Sequence, residues 1–120
     1  MLSANNEVIA HRWFDAFNEH DLEKLLSLYS DIAHHYSPKL KIQQPETQGL
    51  IKGKAELRHW WQGAFDRLST LHYKLISLTA NENRVFMEYV RQVADEMDML
   101  VAEVLEIEEG LIVSSRVYHG

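Results

Sequence analysis

From Arg84 to His119 the chain passes through three stretches of alternating apolar and polar residues, separated by short polar segments. Alternation with a period of two belongs to strands that bury one face. It predicts strands over Arg84–Ala94, Met99–Ile107 and Leu111–His119, with turns at Asp95–Asp98 and Glu108–Gly110. A further strand is predicted over His72–Thr79, ahead of an Asn81-Glu82-Asn83 turn. Consecutive strands joined by such short turns make an antiparallel meander.

The first half of the chain has helical spacing instead. Ile9, Trp13, Ala16 and Phe17 form one apolar stripe on a helix over Ser3–Asn18. Leu22, Leu25, Leu26 and Tyr29 do the same over Asp21–Tyr29, and Leu57, Trp60, Trp61, Ala64, Phe65 and Leu68 over Lys54–Leu68. Ile32–Ser37 reads as a short strand and Pro38–Lys52 as a loop. Helices gathered first and strands last give an α+β layer architecture, and 120 residues suit one domain, residues 1–120.

Composition removes several functions. Eighteen acidic against twelve basic residues give a net charge of -6, which argues against a reader of nucleic-acid backbones. The lack of cysteine excludes disulfides and thiolate metal sites. No apolar run approaches a membrane span, and the N-terminus lacks the basic and apolar regions of a signal peptide, so a cytoplasmic protein without membrane contact is expected. His34 and His35 are adjacent in a strand and point to opposite faces, so they cannot chelate together. No HxH or HxxxH pair, Gly-rich phosphate loop or G-x-S-x-G elbow occurs, so neither metal nor cofactor is expected.

Strand parity selects the inward residues. One face holds Val101, Glu103, Leu105 and Ile107, and its neighbour holds Val85, Met87, Tyr89, Arg91 and Val93. A turn centred on Met97 would set Arg91 opposite Glu103. In the last strand Val113, Ser115, Val117 and His119 point inward by the same count. A concave face carrying Tyr89, Arg91, Glu103, Ser115 and His119, covered by Trp13 and Trp61, has the make-up of a small-molecule pocket. Two readings stay open. If Arg91 pairs with Glu103, the two form a fixed dipole or a purely structural ion pair. If they do not pair, burial raises the Glu103 pKa and makes it a proton-transfer group. The opposite face, with Phe86, Val90, Val104, Ile112 and Tyr118, is too apolar to be wholly solvated, and a homodimer through the sheet would cover it.

Three motifs carry a family resemblance. They are Arg12-Trp13-Phe14-Asp15-Ala16-Phe17-Asn18 followed by Asp21-Leu22 and Leu28-Tyr29-Ser30-Asp31, then Gly53-Lys54-Ala55-Glu56-Leu57-Arg58, then Gly110-Leu111-Ile112-Val113 with Ser115-Arg116. In order and spacing the chain resembles the nuclear transport factor 2-like superfamily, in its SnoaL-like and steroid delta-isomerase-like branch. The resemblance implies a cone: a strongly curved, mostly antiparallel sheet wrapped around N-terminal helices, also called cystatin-like, often as a homodimer. It also implies a set of site positions. The steroid isomerases' phenolic donor falls on Trp13, their carboxylate base on Ser37 before Pro38, and their protonated acid on Glu103. Indole and hydroxyl replace neither phenol nor carboxylate, which argues against steroid isomerase activity. His35 shares the parity of Ser37, and a His35–Glu103 or a His119–Glu103 pair would suit acid–base work.

The candidate catalytic residues are therefore Glu103 and His35. The candidate ligand contacts are Trp13, Ser37, Trp61, Tyr89, Arg91, Ser115 and His119. The expected function is cofactor-independent isomerisation, cyclisation or dehydration of a hydrophobic small molecule by proton transfer. The alternatives are a small-ligand-binding or sensing domain without turnover and a dimeric protein-interaction module.

Overall fold

Helix α1 spans Leu2–Glu19 and buries Ile9, Ala10, Trp13, Phe14, Ala16 and Phe17 in the computed structural model, which describes residues 1–119. These positions recur three and four residues apart and make one stripe. The helix stops at His20, which takes a left-handed conformation and returns its N–H to the carbonyls of Ala16 and Phe17. The His20 ring anchors this stop: Nε2 lies 2.8 Å from the Leu71 carbonyl, and the ring stacks on Phe65. Asp21 caps α2 (Leu22–Ser27) by accepting from the Lys24 N–H at 3.0 Å.

Strand β1 covers Tyr29–Tyr36, so Tyr29 opens a strand and does not end a helix. Its spacing from Leu22, Leu25 and Leu26 is helical, but its backbone pairs with Ile112, far away in sequence. The segment read as a loop, Pro38–Lys52, holds α3 (Pro38–Gln43), a 3-10 turn (Pro45–Thr47) and β2 (Leu50–Lys52). Ser37 caps α3 by accepting from the Lys39 N–H, and Pro38 sits at the first helical position, where its missing N–H loses no bond. Gly49 has a φ of 86°, and a Cβ there would lie 2.8 Å from the Tyr36 ring, so only glycine closes this corner. Helix α4 (Lys54–Arg67) buries Leu57, Trp61 and Phe65.

The meander follows as β3 (His72–Ala80), β4 (Arg84–Gln92), β5 (Met99–Glu108) and β6 (Leu111–His119). All six strands form one sheet in the order β2-β1-β6-β5-β4-β3. The β1–β6 pair is parallel and the other neighbours are antiparallel. Register breaks in β1, in β3 and between β5 and β6 bend the sheet, because an unpaired residue adds local twist. Helix α1 packs on β3 and β4, and α4 on β1 and β2, so the curved sheet encloses both. The architecture is the expected α+β cone.

Two register expectations fail. Arg91 stands opposite Met99, and Glu103 opposite Met87. The connecting turn is centred on Asp95, whose backbone is left-handed, and not on Met97. Both residues stay on the inner face because the displacement is an even number of positions. In β6, Ser114 pairs with Glu106 but Ile112 pairs with Ile107, which leaves Val113 as the extra residue of a bulge. Ile112 is therefore fully buried and Val113 is not, the reverse of the strict alternation. Ser115, Val117 and His119 keep their inward direction.

Candidate functional site

A cavity of about 180 Å³ lies between the inner face of the sheet, α4 and the start of α3. Glu103 lies on its wall and is 1 % exposed. The Tyr89 hydroxyl donates to Glu103 Oε1 at 2.7 Å. The other oxygen, Oε2, is buried with no hydrogen-bond partner among the described residues. Burial pushes the Glu103 pKa up to about 8, against the opposing effect of the Tyr89 hydrogen bond. At neutral pH the carboxyl is mostly protonated. Oε1 is taken by Tyr89, so the proton belongs on Oε2.

His35 reaches the cavity from β1 and is buried too. Desolvation lowers its pKa to about 3, so the ring is neutral. A buried chain behind it sets the tautomer. The Trp13 indole, which can only donate, gives its N–H to the Tyr29 hydroxyl at 3.1 Å. Tyr29 donates to Ser115 Oγ at 2.9 Å, and Ser115 lies 2.7 Å from His35 Nδ1. Burial, and next the Glu103 charge, raise the Tyr29 pKa, so its hydroxyl keeps the proton it donates. Ser115 then has its own proton left for Nδ1, which assigns the His35 proton to Nε2.

The rim is charged. Arg91, with a side chain only 8 % exposed, donates from Nη1 to Glu96 Oε1 at 2.8 Å, and Glu96 is 44 % exposed. Of the two readings left open, Arg91 pairs with Glu96 and not with Glu103, and Glu103 keeps its raised pKa. The Arg91 hydrogen bond lowers the Glu96 pKa, with Lys39 adding to the effect. Burial lowers the His119 pKa, and the charges of Lys39 and Arg91 lower it further, so these three groups converge on one edge of the cavity.

Ser37, Trp61, Tyr89, Arg91 and His119 line the cavity together with Glu103 and His35. Trp13 and Ser115 do not line it. They stand behind it, in the chain that holds His35. Neither His35 nor His119 hydrogen-bonds Glu103 among the described residues. His35 and Glu103 are separated by β6, about 10 Å across the sheet at two strand spacings, and Glu103 lies two residues along β5 from Leu105, the residue level with His35. Sequence reasoning missed Tyr29, Tyr73 and Lys39. Tyr73 was within reach, since Tyr73 and Leu75 alternate along β3 and pair with Arg91 and Tyr89.

Comparison with known proteins agrees with this fold. The family model of the SnoaL-like domain matches residues 10–115. No curated protein sequence matches the chain. The fold is similar to the crystal structure of a SnoaL-like protein of unknown function from Burkholderia thailandensis, at TM-score 0.86 and 26% identity over 98% of this chain and 95% of that one. It is also similar to a protein from Kribbella flavida provisionally assigned as a ketosteroid isomerase, at TM-score 0.81 and 17% identity over 98% and 79%. A nuclear transport factor 2-like protein from Anabaena variabilis gives TM-score 0.78 and 20% identity over 98% and 91%. The last two likenesses concern the fold alone. With nine-tenths of its length matched by that family and its cone, helices and cavity in place, the chain belongs to the SnoaL-like domain family.

Proposed function

We propose that this protein binds a small hydrophobic molecule in the cone and moves a proton on it through Glu103, without a cofactor. The observation that carries this reading is the state of Glu103: a cavity-lining residue whose buried carboxyl has one oxygen held by Tyr89 and the other without a partner among the described residues. A pKa near 8 lets one group donate a proton and take it back close to neutral pH, as isomerisation, cyclisation and dehydration all require. His35 Nε2–H would serve as a neutral donor to an oxygen that gains charge. Ser37 and Trp13 supply neither the base nor the phenol of a steroid isomerase, so a different substrate is implied.

The test needs no prior substrate. A panel of small enolisable ketones is incubated in D₂O, and deuterium uptake is read by mass spectrometry. The wild type is expected to accelerate exchange of at least one member, and Glu103→Gln to lower that rate roughly 10²- to 10⁴-fold. Equal rates in the two proteins would remove Glu103 from the reaction.

A binding domain without turnover is the second reading. It is favoured by His35, which burial keeps from acting as a base, and by Glu96, whose carboxylate is held by Arg91. Saturable ligand binding without any exchange would select it. For the outer face we propose a second copy of the chain as cover, since Phe86, Leu100 and Tyr118 are each about half exposed there. Sedimentation at micromolar concentration is expected to give the dimer mass, and a monomer would contradict it.

A further inference from the structure

We propose that the cavity rim is a carboxylate site, that Glu96 fills it as an internal stand-in, and that the ligand is a one-ring organic acid whose carboxylate replaces Glu96 on Arg91. This rests on the reading of the cavity as a small-molecule site.

The charge at the rim is the first argument. Lys39, Arg67 and Arg91 line the cavity against a single carboxylate at its edge, Glu96, in a chain whose net charge is -6. A concentration of cations on an acidic protein attracts an anion. The second argument is an asymmetry of burial. The Arg91 side chain is 8 % exposed and its partner Glu96 44 %. A buried guanidinium needs an anionic partner, whereas a half-exposed carboxylate on the 93–98 connection can return to water at small cost. Exchanging one carboxylate for another leaves Arg91 paired, and the bidentate capacity of its fork accommodates the incoming group. Lys39 and His119 stand beside it to complete the contact.

Size and span define the rest of the ligand. An apolar cavity of about 150 Å³ takes up one benzene ring, so about 180 Å³ holds one ring with a short chain, and four fused rings do not fit within it. Trp60, Trp61, Leu68 and Leu71 supply apolar walls for that ring. Arg91 lies four residues along β4 from Met87, the residue opposite Glu103. That offset is about 13 Å at ~3.3 Å per residue. Arg91 and Glu103 line the same cavity, so an acid anchored at Arg91 shares it with Glu103.

The probe pair is 3-phenylpropanoate and its neutral isostere 3-phenylpropanamide, measured by isothermal titration calorimetry. The wild type is expected to prefer the acid at least tenfold. Arg91→Gln is expected to erase that preference. Two exposed-side variants keep the test open should Arg91→Gln fold poorly. Glu96→Gln is expected to tighten the acid severalfold without changing the amide, and Lys39→Gln to weaken the acid severalfold. Equal binding of acid and amide, or an acid-to-amide ratio unmoved by both Glu96→Gln and Lys39→Gln, overturns the carboxylate assignment alone. No binding of either compound at millimolar concentration overturns that assignment together with the small-molecule reading on which it rests.

Discussion

Glu103 and Glu106 stand three residues apart on β5, on opposite faces of the sheet. Glu106, on the outer face, is shared by Arg116 at 2.7 Å and Arg84 at 3.0 Å, and these hydrogen bonds hold its carboxyl below the usual range. Glu103, on the inner face, has no cation against it among the described residues, and burial drives its pKa up to about 8. The same side chain on the same strand is thus a charged structural clamp outside and a neutral acid inside. The difference teaches that the state of each carboxyl is set by whether a cation stands against it: the cavity's cations gather at the rim, away from Glu103. Arg91 shares the inner face but is committed to Glu96 at the rim.

The largest expected effect is on stability against pH. The folded pKa of Glu103 is raised from an ordinary 4.5 to about 8, so its contribution is full below pH 4.5 and is lost as pH rises to 8. The folded pKa of His35 is lowered from 6.5 to about 3, so its contribution is full above pH 6.5 and is lost as pH falls to 3. Each shift corresponds to roughly 5 kcal/mol at about 1.4 kcal/mol per pH unit. The two slopes cancel between pH 4.5 and 6.5. Above pH 6.5 the Glu103 slope stands alone and removes about 2 kcal/mol by pH 8. Urea unfolding at stepped pH should show this fall in the wild type and not in Glu103→Gln. Parallel curves for the two proteins between pH 6.5 and 8 would break the contrast between the faces.

A smaller effect is expected outside. Glu106→Gln removes two half-exposed ion pairs, and such pairs contribute about 0–1 kcal/mol each. Its midpoint in urea should drop slightly, with any deuterium-exchange activity unchanged. A loss of exchange as large as that of Glu103→Gln would mean that the two faces are not independent.

Much of this was legible in the sequence because it rests on local rules. The inward parity of Tyr89, Arg91 and Glu103 follows from strict alternation in β4 and β5, and the aromatic face of α4 from its 3.6-residue period. What was not legible depends on distant pairing or on a single inserted residue. Tyr29 fits a helix by spacing, and only the parallel β1–β6 ladder brings it and His35 to Ser115, 86 and 80 residues away. Moving the turn centre from Met97 to Asp95 displaces every β4–β5 partner by four positions, which exchanges an Arg91–Glu103 pair for an Arg91–Glu96 one. The Val113 bulge likewise reverses Ile112 and Val113, although alternation is sound on either side of it.

The central claim is that Glu103 is a neutral acid at the cavity wall near pH 7. Carbon-13 NMR titration of the glutamate carboxyls, with Glu103→Gln to assign the signal, tests it most directly. The account predicts one glutamate titrating near pH 8 that disappears in the variant, well separated from the rest. If the Glu103 signal instead titrates below pH 5 with the other glutamates, the carboxyl is ionised at neutral pH and the account is wrong.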